Sequence, residues 1–138
     1  MKLEPYVNFC GWVPNNMITQ KIREHDFFIL PSLYETFGVV FLEALSVGVP
    51  IIAYQYNGIV LDLMNVTKAI FPLQNVSSSE IVRALLLLKG KKDLYRQWAE
   101  QTKHDILKEF SWEQHAMLYH EALKNIIKDA KSEHSSSY

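Results

Sequence analysis

The chain has 138 residues, 49% of them hydrophobic, 12% aromatic and 21% charged, a single domain's length at ~100–200 residues per domain. That apolar fraction can fill a core, which excludes intrinsic disorder and a small disulfide-stapled scaffold, and Cys10 stands alone, so neither an intrachain disulfide nor a cysteine-based zinc site is possible. Fourteen Lys+Arg against fifteen Asp+Glu leave a formal charge of -1, no electrostatic footprint for nucleic acid or an anionic membrane.

Met1-Lys2-Leu3-Glu4-Pro5 places an acid and a proline where a signal peptide needs an apolar run, so a cytoplasmic location is expected. The most apolar stretch, Phe37 to Tyr54, is broken by Glu43 and Gly48-Val49-Pro50, and no transmembrane segment is expected. Asn65-Val66-Thr67 and Asn75-Val76-Ser77 fit the glycosylation pattern but, with no secretory signal, read as chance matches.

In chain order, Tyr6 to Cys10 predicts a short strand ending at Gly11. Pro14 to Asp26 carries Met17, Ile18 and Ile22 at helical spacing, and Phe27 to Leu30 is a continuous apolar run suited to a strand of a parallel sheet. Gly38 to Val47 predicts a helix stopped by Gly48, with Pro50 beyond it. Pro50–Tyr54 and Lys68–Pro72 supply two more buried strands. Ser77, with Glu80 three residues on, has the form of a capping box; it opens a helix with Ile81, Val82, Leu85 and Leu88 as its apolar positions. Lys89 to Lys92 is a polar break before a helix from Asp93 to about Lys108. Ser111, with Gln114, caps a last helix whose one face carries Trp112, Ala116, Tyr119, Leu123 and Ile126, and residues 131–138 read as a polar, frayed tail. Strands alternating with helices give an α/β fold, a Rossmann-like parallel sheet with flanking helices.

The densest chemistry lies between Pro31 and Pro50. A loop at the carboxyl end of a buried strand carries Glu35, Gly38 allows close approach of the backbone, and the first-turn amides favour phosphate or sugar oxygens. Two acids, Glu35 and Glu43, flank that helix start, a combination suited to a ligand with hydroxyls and a diphosphate. Taken singly, Glu43 reads as a solvated helix acid and Glu35 as a loop acid. The five histidines form no metal pattern, Lys89, Lys91 and Lys92 read as solvated, and Trp98, Trp112 and Tyr119 read as core.

Pro31-Ser-x-x-Glu35-x-Phe37-Gly38, then Glu43-Ala44 and Gly48-x-Pro50, resembles the donor-site signature of glycosyltransferase family 4, retaining enzymes of the two-domain GT-B fold. Glu35 and Glu43 match its Glu-x7-Glu element. Phe9-Cys10-Gly11-Trp12-Val13 resembles its Phe-x-Gly-x-Val, Asn57-Gly58-Ile59 its Gly-Gly-Ile turn with Asn for the first Gly, and Phe110-Ser111-Trp112 the start of its last helix. Asp62 stands one place late for a family Glu, and Val66 to Ala69 replace a Gly-rich segment. The resemblance implies that Glu35 binds donor-sugar hydroxyls and is the catalytic residue. By the same resemblance Thr36, Phe37, Gly38 and Val39 hold sugar and diphosphate oxygens, and Glu43 takes the ribose hydroxyls. It implies no metal in the site and no cofactor beyond a nucleotide-diphosphate sugar as donor substrate. The family's upstream strand–helix–strand and its acceptor domain have no counterpart, so 1–130 is expected to be part of a donor-binding domain, the incomplete C-terminal half of a GT-B fold. Two functions follow: donor binding for hexose transfer, with a separate acceptor-domain chain as partner, or an inactive remnant that binds a partner.

Overall fold

Three short strands, β1 (Phe28–Leu30), β2 (Ile51–Tyr54) and β3 (Ile70–Leu73), lie parallel in the order β1-β2-β3. Phe28 sits opposite Ile51, and Ile51 opposite Ile70. The computed structural model describes residues 3–135. Six helices accompany the sheet among them: α1 (Asn15–Arg23), α2 (Val39–Ser46), α3 (Val60–Val66), α4 (Ser78–Leu88), α5 (Lys92–Glu109) and α6 (Trp112–Ser135). The Rossmann-like α/β expectation is met.

Successive strand side chains point to opposite faces, and the core divides accordingly. Phe28, Leu30, Ile51, Ala53 and Ile70 meet Ile22 of α1, Phe41 and Leu45 of α2, Leu63 of α3 and Ile106 of α5. Phe27, Ile29, Ile52, Phe71 and Leu73 meet Ala84 and Leu88 of α4 and Tyr95 of α5. The central strand needs apolar residues on both faces, and Ile51, Ile52 and Ala53 are fully buried. β1 is only half-buried, against the expectation for its apolar run, because β2 is its sole sheet neighbour among the described residues. In a parallel ladder alternate residues turn to opposite sides. The Phe28 N–H donates to the Pro50 carbonyl at 2.9 Å, so Ile29 faces the open edge.

Local signals hold where they rest on near neighbours. The N–H of Gly48, at φ +73°, donates to Leu45 C=O and that of Val49 to Ala44 C=O, a Schellman termination of α2. A side chain at Gly48 would strike the Glu100 carboxylate of α5. The Ser111 hydroxyl accepts from Gln114 N–H at 3.1 Å. At Ser77 only half of the expected box forms. The hydroxyl accepts from Glu80 N–H at 3.3 Å, but the Glu80 carboxylate accepts from Gln74 N–H and from Arg83 instead of reaching back. The Arg83 guanidinium, then the Gln74 amide, lower the Glu80 carboxyl from 4.5 to about 2.

Four expectations need correction. Tyr6 to Cys10 is not a strand: a single 3-10 turn covers Glu4–Tyr6, and the segment beyond finds no strand to pair with among the described residues, with Phe9 91% exposed. Val82 and Leu85 point outward on α4, while Glu80, Ala84 and Leu88 face in. Trp112 and Tyr119 are not core, and every side chain from His115 to Lys128 is exposed; the apolar stripe of α6 lies open among the described residues. Trp98, by contrast, is half-buried against the larger cluster. The tail expected over 131–138 is helical as far as Ser135, no Gly or Pro interrupting it, and 136–138 lie outside the described residues. α3 is an element the sequence reading did not anticipate. No described helix is long and apolar enough to cross a membrane.

Candidate active site

The loops leaving the carboxyl ends of β1 and β2 come together over the sheet, the position where open α/β sheets receive ligands. They enclose a cleft of about 450 Å3, with Leu33, Tyr34, Glu35 and Thr36 on one side and Tyr56, Asn57 and Gly58 on the other. Two backbone-directed bonds join the loops. Asn57 Nδ2 donates to Ser32 C=O at 2.9 Å, and Ile59 N–H donates to Phe37 C=O at 3.0 Å. The 57–59 turn therefore grips the first loop near both of its ends.

Two glycines make room for Glu35. Gly38, at φ +85°, caps α2 in the left-handed region, where a Cβ would lie 2.5 Å from the Phe41 ring and 3.2 Å from Glu35 Cγ. Gly58, at φ +49°, would place a Cβ 2.6 Å from Phe37 O and 3.4 Å from Glu35 Cγ. The methylenes of Glu35 thus lie between two backbones that have no side chain there. One carboxylate oxygen accepts from Thr36 N–H at 3.1 Å, which leaves the other free for a ligand hydroxyl.

Of the residues singled out in the sequence, Glu35 and Thr36 line the cleft. Phe37 and Gly38 stand behind it, Phe37 bonded to the 57–59 turn and Gly38 buried over Phe41. Val39 and Glu43 occupy successive turns of one face of α2 and are not part of the lining; Val39 is exposed and Glu43 half-buried. The sequence reading missed Leu33, Tyr34, Tyr56 and Asn57 as lining residues. The available signal was the second loop itself: Asn57-Gly58 follows a buried strand as Glu35 follows one.

Among the described residues no group of three or more His, Cys, Asp or Glu side chains is placed to hold a metal. His25, His104, His115 and His120 are all exposed, His25 and His115 each with Nδ1 on a carbonyl four residues earlier. The side chain of His134 lies outside the described residues. Lys89, Lys91 and Lys92 are exposed.

Several known proteins are similar to this chain in sequence. An uncharacterized glycosyltransferase of Methanocaldococcus jannaschii is 29% identical over 104 residues, covering 67% of this chain and 27% of that protein. O-antigen chain mannosyltransferase B of Escherichia coli is 28% identical over 110 residues, 80% of this chain and 28% of that protein. N-acetyl-alpha-D-glucosaminyl L-malate synthase of Bacillus anthracis is 25% identical over 132 residues, 96% of this chain and 34% of that protein. The chain thus spans between 27% and 34% of the length of these relatives. The sequence model of one family, glycosyl transferases group 1, matches residues 1–105, the stretch that holds the sheet, both loops and the cleft. The chain belongs to the glycosyl transferases group 1.

Proposed function

We propose that this chain is the donor-binding portion of a retaining, GT-B-type glycosyltransferase of family 4, residues 1–130 forming part of the donor domain. It would hold a nucleotide-diphosphate hexose while a separate acceptor domain supplies the second wall of the cleft. The observation that supports this reading is Glu35, seated between Gly38 and Gly58 with an oxygen free in a cleft at the strand ends. Glu35 then accepts from hydroxyls of the donor sugar, Thr36 and the amides of Phe37, Gly38 and Val39 hold sugar and diphosphate oxygens, and Glu43 accepts the ribose hydroxyls. In the reaction an acceptor hydroxyl oxygen bonds to the sugar's anomeric carbon as the carbon–phosphate oxygen bond breaks. The departing diphosphate takes the acceptor's proton on the same face, so the protein's task is positioning and electrostatic stabilisation. A cytoplasmic location and the absence of a metal from the site belong to the same proposal.

The relatives' names specify different sugars, mannosyl and N-acetylglucosaminyl, so the reading stays at the level of a hexose. The exposed apolar stripe of α6 favours the second part of the reading, that the chain works only with another domain and is inactive alone. Calorimetric titration of the chain with UDP-glucose, UDP-N-acetylglucosamine and GDP-mannose tests the donor site. Micromolar binding of one of them, lost in Glu35→Ala, is the expected result. No binding, or binding unchanged in Glu35→Ala, overturns it in favour of an inactive, partner-binding remnant.

A further inference from the structure

Asn57 is 1% exposed and lines the cleft. Its orientation is determined by chemistry, since the Ser32 carbonyl can only accept and Nδ2 must face it. Oδ1 is left as a buried oxygen without a partner, the one such side-chain atom among the described residues. A buried acceptor with no donor is costly, and a native chain that keeps one needs a reason. The charge of the cleft narrows the choice. Glu35 lines it, and no Lys, Arg or His does, so a phosphate there would meet a carboxylate with no counter-charge. Two fixed acceptors, Glu35 and Asn57 Oδ1, match an uncharged ligand group that presents several hydrogen-bond donors.

We propose that Asn57 determines specificity for the sugar ring: Oδ1 accepts a hydrogen bond from a ring hydroxyl, Nδ2 anchors it to Ser32, and the diphosphate lies outside this end of the cleft. The inference rests on the donor-site reading and assigns a contact within it. Oδ1 is closed to water in the free chain, so the contact requires the exposed cleft residues Leu33, Tyr34 and Tyr56 to shift as the ring enters.

The test compares affinities for the nucleotide sugar and for the bare nucleoside diphosphate, whose ratio isolates the sugar's contribution. UDP-glucose against UDP, and GDP-mannose against GDP, are titrated into the full chain and its variants. Asn57→Ala is expected to cut that ratio between about threefold and tenfold, the range of one hydrogen bond, leaving affinity for the bare diphosphate unchanged. Asn57→Asp keeps an acceptor but loses the donor to Ser32, so it separates the two roles. Retention of the ratio in Asn57→Asp, with loss in Asn57→Ala, supports the contact. Equal loss in both variants identifies a loop brace and overturns it. If Glu35→Ala abolishes the ratio and Asn57→Ala leaves it intact, the inference fails and the donor-site reading stands. A wild-type chain with no preference for the sugar overturns the donor-site reading, and the inference with it.

Discussion

The larger core cluster and α6 are written in similar residues and reach opposite fates. Phe41, Leu45 and Leu63 stand on helices of eight and seven residues and are fully buried. Tyr119, Leu123 and Ile126 stand on a helix of 24 residues and are 73%, 56% and 64% exposed. An apolar stripe expresses a capacity for burial, and what realises it is a second surface at the right place. α2 and α3 find the sheet, whereas α6 leaves the body at Ser111 and finds nothing among the described residues. Stability should therefore reside almost entirely in the first region.

Phe41→Ala is the severest test of that contrast. Its ring is fully buried, lies edge-on to Phe28 with centroids 6.4 Å apart, and underlies Gly38. A loss of about 3–5 kcal/mol is expected from urea unfolding, and a much smaller loss would mean that the cluster is loosely packed. A polar contact of the same body is addressed by pH. Glu80 has its carboxyl lowered from 4.5 to about 2 in the folded chain, chiefly by Arg83. Its contribution is present in full above the unfolded value and disappears as pH falls through the interval between the two. Wild type should thus exceed Glu80→Gln in urea midpoint near neutral pH, with the gap narrowing by about pH 3; a gap independent of pH would contradict the ion pair. The smallest effect belongs to α6. Leu123→Ser with Ile126→Ser is expected to change stability by no more than about 0.5 kcal/mol, as exposed sites do. A drop of several times that would show that the stripe is covered in solution.

The same contrast explains what could be read in advance. The stops and starts at Gly48, Ser77 and Ser111 depend on groups a few residues apart, and each formed in the expected place. β2 was legible because Ile51-Ile52-Ala53 is apolar on both faces. Tyr6 to Cys10 has equally good strand residues, but a strand exists only with a partner, and pairing is not a local property. α3 escaped notice because its inward side chains, Val60 and Leu63, make only one repeat of the helical period. In the cleft, Glu35 was conspicuous through its neighbours Phe37 and Gly38. Tyr56 was not, and Asn57, noticed only as part of a turn, could not be placed beside Glu35, because that relation is created by two strands lying side by side across some twenty positions of sequence.

β1 carries one further consequence. A strand with an unpaired flank offers a template for cross-molecular stacking, the first step toward fibrils or insoluble aggregates. Here the exposed rail is three residues long, and Asp26 and Lys92 form an ion pair at 3.6 Å beside its entrance. Another strand laid on it would gain few bonds and would have to fit around two hydrated charges. Brevity and charge thus make the flank a poor seed for stacking with its own kind.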